Sequence, residues 1–316
     1  MKLEDIGKVV VVGAGTMGPG IAQIFAQASY QVTVQDLSGE ALERALDTIK
    51  SGLKVFVDNG ILTMEKADEG LSRVETTLDL AKAAKDADFV VEAIYEDLEV
   101  KKEIFQELDE LCPSHTILAS SLSTLPIDAM AEATKRPDKV ILTHFANPPN
   151  IIPVVEVARG AKTSDETTDI TLGLLRKVGK KPIVCLKAIP GYLVNTFNAA
   201  IISAALDLLA TGIATKEDID TVFTANLGPR LSVIGPFKVM DMFGLDLIWQ
   251  IVSSGAMPGL GDPRVASIKE LVDAGHFGVK TGKGFYDYSP KSPDEIRREI
   301  NESLFTAFKA MLKETQ

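Results

Sequence analysis

The chain has 316 residues, of which 46% are hydrophobic and 24% charged, with a formal net charge of −11. That length accommodates two domains, and the apolar content is enough for a sizeable core. The acidic balance lacks the basic footprint of a nucleic-acid binder, but it leaves room for an anionic small-molecule substrate, because local fields can oppose the net charge.

The first strand-like run is Lys8-Val-Val-Val-Val12, continuous and β-branched, as suits a strand buried on both faces of a parallel sheet. A glycine-rich turn follows, then a helical pattern with Ile21, Ile24, Phe25 and Ala28 on one face, then an alternating strand over 31–36. Together they make one βαβ unit. Charged helical stretches over 40–58 and 64–71 are read as a helical arm. Strand-like runs recur at 88–93, 116–120 and 139–145 with helical patterns between them, which predicts a doubly wound parallel sheet.

Residues 153–157 read as a further strand, Thr163-Ser-Asp-Glu166 as a capping box opening a helix that ends at Gly179, and 182–186 as the last strand. At Ile189-Pro190-Gly191 the pattern turns helical. The expected architecture is α/β: a Rossmann-type doubly wound domain over 1–188 and an all-α substrate and dimerisation domain over 189–316. The last helix opens at Ser292-Pro-Asp-Glu295 and carries Ile296, Ile300, Leu304, Phe308 and Leu312 on one stripe. A homodimer is expected from the apolar helix that starts near Gly191.

The two cysteines, Cys112 and Cys185, stand in no metal-ligand spacing and are read as reduced core residues, so no metal site is expected and a cytoplasmic protein is. Glu4 and Asp5 occupy the place of a signal peptide's basic region. The uncharged stretch from Ala188 to Leu206 is interrupted by Pro190, Gly191, Asn195 and Asn198, so no membrane span is expected.

Gly13-Ala-Gly15-Thr16-Met17-Gly18 is a GxGxxG between a strand and a helix, the context in which that spacing binds a dinucleotide. Gly13 permits the turn, Gly15 lets the backbone approach a pyrophosphate, Gly18 lets the helix pack close, and the helix N-terminus faces the phosphates. A ligand-free glycine turn is the alternative. Asp36 ends the second strand, where a carboxylate accepts from the adenosine ribose and repels a 2′-phosphate. This predicts NAD rather than NADP, unless Asp36 is only a turn residue.

Of three histidines, His115 lies in a polar turn and His276 in a glycine-rich loop, while His144 ends an apolar strand. A lone histidine there is ordinarily structural. Glu156, set between valines on the next strand, needs a partner. Paired with His144 it would fix the imidazole tautomer, leaving His144 to take a hydroxyl proton as hydride leaves for nicotinamide.

Several stretches resemble the 3-hydroxyacyl-CoA dehydrogenase family over nearly the whole chain. They are 13–18, 91–101 (Val-Glu-Ala-Ile-Tyr-Glu-Asp-Leu-Glu-Val-Lys), 144–148 (His-Phe-Ala-Asn-Pro), 154–157 (Val-Val-Glu-Val), 190–195 (Pro-Gly-Tyr-Leu-Val-Asn), 235–237 and 280–288. The resemblance implies that His144 and Glu156 are the catalytic pair. It implies that Ser123 and Asn195 bind the substrate oxygen, and that Glu96, Lys101, Asn147 and Lys280 line the cofactor with the glycine loop. The chain departs from the family pattern at Ser121, where CoA-dependent members usually carry Asn, and at Ala146. The stretch Leu227-Gly-Pro-Arg230 resembles a branch acting on free carboxylates, including L-gulonate 3-dehydrogenase, in which Arg230 could clamp a carboxylate. An ordinary surface salt bridge is the other reading of Arg230. Lys50, Lys54 and Lys66 on the helical arm could instead meet CoA phosphates, or be merely solvated. Three functions therefore stand: oxidation of an L-3-hydroxyacyl-CoA, the same chemistry on a free 3-hydroxy acid, and a catalytically silent NAD-binding protein.

Overall fold

Val9–Val12 lack polar atoms in their side chains and are almost wholly excluded from solvent. They make up most of β1 (Lys8–Val12), an inner strand of an eight-stranded sheet in a computed structural model that describes residues 1–187, 189–255 and 265–312. The other strands are β2 (Gln31–Gln35), β3 (Val74–Thr77), β4 (Phe89–Glu92), β5 (Ile117–Ser120), β6 (Val140–Phe145), β7 (Val154–Arg159) and β8 (Lys181–Cys185), in the order β3-β2-β1-β4-β5-β6-β7-β8. Interspersed are α1 (Gly18–Gln27), α2 (Gly39–Asp58), α3 (Met64–Ser72), α4 (Leu80–Ala84), α5 (Leu98–Leu111), α6 (Ile127–Glu132) and α7 (Asp165–Lys177), and α8 (Tyr192–Ala210) follows the sheet. Alternate strand residues point to opposite faces. Accordingly Val9 and Val11 join one apolar core with α1, and Val10 and Val12 join another with Phe105 and Leu108 of α5.

The sheet is not wholly parallel. β7 runs antiparallel to β6, with His144 opposite Glu156 and Phe145 opposite Val155. The cause is the short connection over 146–153. A parallel crossover needs a dozen or more residues, whereas an antiparallel return does not. In that connection the Pro148 carbonyl accepts from the N–H of Ile151 and Ile152, at 3.1 and 2.9 Å.

Other expectations are adjusted locally. The expected arm is not free along its length: Leu42, Ala45, Ile49 and Leu53 of α2 and Ala67 of α3 are buried in the same core as α1, because an apolar stripe is stable only when covered. The cap of α7 is Ser164, which accepts from Thr167 N–H, while Thr163 donates its hydroxyl to Val140 O at 2.7 Å. β3 is an edge strand with no fully buried residue.

The chain divides into two units, one ending at Ile201 and the other beginning at Ile202. Ala188, the last residue assigned to the first domain from sequence, lies outside the described residues, as does the side chain of Leu312. The second unit is helical among its described residues: α9 (Lys216–Val222), α10 (Gly228–Val233), α11 (Pro236–Phe243), α12 (Leu245–Ser253), α13 (Ala266–Asp273) and α14 (Pro293–Leu312). The box opening α14 is reciprocal, with Ser292 N–H donating to Glu295 at 2.8 Å and Glu295 N–H to the Ser292 hydroxyl at 3.3 Å.

Within this unit Asp241 is fully buried and accepts from Phe285 N–H, Tyr286 N–H and the Tyr288 hydroxyl, which fastens the 280–288 loop. A Cβ on Gly284 would lie 2.1 Å from its Oδ1, so the glycine is what lets the loop close on the carboxylate. The helix α8 is long and apolar enough to cross a membrane by length and composition, with mean hydropathy 1.6.

Candidate active site

The carboxyl ends of β1, β2 and β4 open onto a crevice of about 630 Å³ lined by Gly13, Gly15, Asp36, Leu78, Leu80, Ile94 and Tyr95, among others. Gly13 has φ +107°, and a Cβ there would strike the Ala93 carbonyl at 2.7 Å. A Cβ on Gly18 would lie 1.9 Å from Gly13 O and 3.5 Å from Val11, so that glycine serves the closure of the loop first and helix–strand packing second. Gly15 is different. Nothing lies within 4 Å of where its Cβ would be, so the bare backbone faces open space in the crevice. Asp36 Oδ2 accepts from Ala14 N–H and Oδ1 from Ser38 N–H, at 2.8 and 2.9 Å. The carboxylate thus stiffens the glycine loop and also lines the crevice. An open-faced glycine backbone, a helix N-terminus and a carboxylate with no basic side chain among the lining residues fit an NAD dinucleotide.

Between this crevice and the loop after β5 lies a buried network. Glu92 is fully buried, and its Oε1 accepts from Lys101 Nζ at 2.6 Å and Ile94 N–H at 2.8 Å, while Oε2 accepts from the Ser120 hydroxyl. Lys101 is also fully buried and lies 3.9 Å from Glu96. The Glu96 carboxylate accepts from the N–H groups of Ser123 and Thr124 at 2.9 and 2.7 Å. Burial alone would raise the Glu96 carboxyl, but the N–H groups of Thr124 and Ser123 and the Lys101 charge hold it below the usual range. Charges alternate along this network, and none is buried without a partner.

Ser123 Oγ lies 3.3 Å from His144 Nε2, and His144 Nδ1 lies 2.6 Å from Glu156 Oε2. His144 and Glu156 are 7% and 1% exposed, so the pair is shielded from water that would weaken it. The antiparallel pairing is what aligns them, since directly opposed residues share a sheet face. The second carboxylate oxygen of Glu156 accepts from Leu193 N–H at 2.7 Å and Val194 N–H at 3.0 Å. Gly191 and Tyr192, at φ +81° and +48°, turn those N–H groups inward as an anion-binding nest. Glu156 therefore orients the imidazole and seats the start of α8, which carries Asn195.

A pocket of about 480 Å³ collects Met17, Ser121, Ser123, His144, Asn147 and Asn195, with Asn198 one turn further along α8. Sequence reading missed Glu92, the bare hydroxyl of Ser121 and the position of Asn198. The two candidate site residues in the second unit, Arg230 and Lys280, have partners within that unit. The Arg230 guanidinium stands 5.5 Å from the Phe243 ring, and Lys280 pairs with Asp246.

A dinucleotide crevice beside a pocket with a buried carboxylate–imidazole pair defines a nicotinamide-dependent alcohol dehydrogenase. Comparison with known proteins narrows the class. The 3-hydroxyacyl-CoA dehydrogenase NAD binding domain matches residues 8–189, and the C-terminal domain of the same enzymes matches 191–288. The chain is 37% identical to the probable 3-hydroxybutyryl-CoA dehydrogenase of Bacillus subtilis, over 91% of this chain and 99% of that one. It is 33% identical to the 5-formyl-3-hydroxy-2-methylpyridine 4-carboxylate 5-dehydrogenase of Mesorhizobium japonicum, over 95% and 96% respectively. The crystal structure of a 3-hydroxyacyl-CoA dehydrogenase from Archaeoglobus fulgidus superposes with a TM-score of 0.78 at 32% identity, covering 96% of this chain and 99% of that one. The chain belongs to the 3-hydroxyacyl-CoA dehydrogenase family. It is an NAD-dependent oxidoreductase acting on a CH–OH group, not a silent NAD-binding protein.

Proposed function

We propose that the chain oxidises the 3-hydroxyl of an L-3-hydroxyacyl-CoA, with 3-hydroxybutyryl-CoA as the type substrate, and catalyses the reverse reduction. The observation that carries this reading is the line Ser123 Oγ, His144 Nε2, His144 Nδ1, Glu156 Oε2 at one side of the pocket. Glu156 holds the Nδ1 proton, which leaves Nε2 free to accept the substrate's hydroxyl proton. Ser123 and Asn195 donate to the substrate oxygen, and those hydrogen bonds strengthen as that oxygen takes on charge in carbonyl reduction. NAD bound in the crevice supplies the acceptor for the hydride that leaves the carbinol carbon. Gly13, Gly15, Thr16, Met17 and Gly18 would hold its pyrophosphate and Asp36 its adenosine ribose, and Glu96, Lys101, Asn147 and Lys280 are the further positions proposed to line the cofactor. Lys101 is fully buried on Glu92, so it would act by shaping the 92–96 loop.

A second reading is the same chemistry on a free 3-hydroxy acid, with Arg230 on the carboxylate. It is favoured by the pyridine carboxylate dehydrogenase among the relatives, and by an Arg230 that pairs with no carboxylate among the described residues. Initial rates with NAD on 3-hydroxybutyryl-CoA, 3-hydroxybutyrate and L-gulonate decide between them. A kcat/KM at least tenfold higher for the thioester supports the first reading, and the opposite ratio replaces it with the second. We also propose a homodimer that covers α8, whose Phe197, Ile202 and Leu206 are 57–60% exposed. A monomeric mass by light scattering at micromolar concentration would refute it.

A further inference from the structure

The pocket beside His144 holds more hydrogen-bonding capacity than one carbinol can use. Ser123 and Asn195 suffice for the reacting oxygen. Ser121 and Asn198 also line the pocket, and their side chains bond to no other group among the described residues. The Ser121 hydroxyl oxygen is buried without a partner, a state that costs free energy unless a ligand completes it.

Asn198 is the more telling residue. On α8 it has Phe197, Ile201 and Ile202 as neighbours. Asparagine is a poor helix former that usually serves as a cap or bonds back to the backbone. Asn198 is exposed and does neither among the described residues, which leaves its amide open to the pocket, unlike Thr196, whose hydroxyl donates to Tyr192 O. It stands three residues from Asn195, so the two amides share one helix face, and both line the pocket. No lysine or arginine is among the lining residues. The Asn195 and Asn198 side of the pocket is therefore neutral and able both to donate and to accept.

We propose that Asn198 is a specificity-determining residue that hydrogen-bonds an oxygen on the substrate's tail. The preferred substrate is then a 3-hydroxy compound whose tail carries a hydroxyl or carboxyl group in place of plain hydrocarbon. This rests on the oxidation proposed above and adds the class of tail.

The test measures kcat/KM with NAD for two matched pairs. These are 3-hydroxyadipyl-CoA against 3-hydroxyhexanoyl-CoA, and L-gulonate against 3-hydroxyhexanoate. The wild type is expected to favour the oxygen-bearing member of at least one pair by about tenfold, the scale of one hydrogen bond. Which pair shows the effect separates a dicarboxylic thioester from a polyhydroxy acid. Asn198→Leu is expected to reduce that preference about tenfold, chiefly by slowing the oxygen-bearing member. Asn198→Asp, equally acceptable at this exposed position, should penalise the carboxylate tail of 3-hydroxyadipyl-CoA more than the hydroxyls of L-gulonate. An unchanged ratio in both variants, or a wild-type preference for hydrocarbon in both pairs, overturns the role of Asn198 and leaves the oxidation intact. No turnover of any of these compounds or of 3-hydroxybutyryl-CoA overturns the oxidation as well.

Discussion

Replacing Glu156 by glutamine keeps the volume of the side chain and inverts the chemistry of the pair. The carboxylate takes three hydrogen bonds, one from His144 Nδ1–H at 2.6 Å and two from Leu193 and Val194 N–H at 2.7 and 3.0 Å. A glutamine has one accepting oxygen and one donating NH2. If the oxygen stays on the two backbone N–H groups, the NH2 faces Nδ1 and forces the imidazole proton onto Nε2, where the substrate's proton should go. If the amide flips, the NH2 opposes two N–H donors at the start of α8. Either way the charge that stabilises the imidazolium is gone. For unit charges about 4 Å apart at an effective dielectric of about 20, that loss is about 4 kcal/mol. It corresponds to a kcat lower by about a thousandfold, and the wrong tautomer extends this towards ten-thousandfold.

Steady-state oxidation of a turned-over 3-hydroxy substrate at saturating NAD reads the effect directly, with NAD affinity followed separately by fluorescence. The expected pattern is a collapse in kcat with NAD affinity changed less than threefold, because Glu156 lies outside the dinucleotide crevice. A kcat within tenfold of wild type would show that neither tautomer control nor imidazolium stabilisation runs through this carboxylate.

Asp36→Asn should lower kcat/KM for NAD by about tenfold and raise the NADP-to-NAD ratio, since it removes the repulsion of a 2′-phosphate and leaves one accepting oxygen where two now serve the N–H groups of Ala14 and Ser38; an unchanged ratio would dismiss Asp36 as a discriminator. Burial alone would raise the Asp88 carboxyl, but the N–H groups of Lys8 and Gly7 and the neighbouring His115 bring it below the usual aspartate value. A depressed folded value means the stabilisation is fully present above the unfolded value near 3.9 and fades as pH falls towards the folded one. The Tm difference between wild type and Asp88→Asn should therefore shrink as pH falls below about 4, and a difference that widens there would contradict the assignment. Asp241→Ala strands Phe285 N–H, Tyr286 N–H and the Tyr288 hydroxyl, so calorimetry should show a loss of about 3 kcal/mol or more. Burial pushes the Cys112 thiol up to about 11, so alkylation at pH 8 should follow unfolding, not thiol ionisation.

Periodicity made most of the first unit legible, because a buried parallel strand and an amphipathic helix each leave a pattern tied to their geometry. β3 left none: three of the four residues in its Val-Glu-Thr-Thr stretch are polar, and an edge strand can be held by backbone pairing to β2 alone. The site divides along a similar line. Glu156 was found as a carboxylate set among valines that must have a partner. Glu92 stands in the same Val-Val-Glu context, 0% exposed, and the same rule would have demanded its partner, Lys101. Asn198 and Ser121 carried no such signal. Their meaning comes from which way a helix face and a loop point, and a polar residue in a chain gives no hint of that until the backbone is placed.

Strand direction was the costliest thing to miss, because the dyad depends on it. His144 and Glu156 meet as a directly opposed pair only because β7 returns beside β6 with Thr143 facing Val157 and Phe145 facing Val155. A slip of one residue would turn the carboxylate to the other face of the sheet and set a valine against the imidazole. The register is set in the connection over 146–153, where Pro148 O gathers two N–H groups and the buried ammonium of Lys180 holds the carbonyls of Pro149 and Ile152 at 2.6 and 2.9 Å. Asn147, at the head of the same connection, lines the pocket. One short loop thus sets both the His144–Glu156 pairing and part of the pocket lining, so changes to its length bear on the site before they bear on the fold.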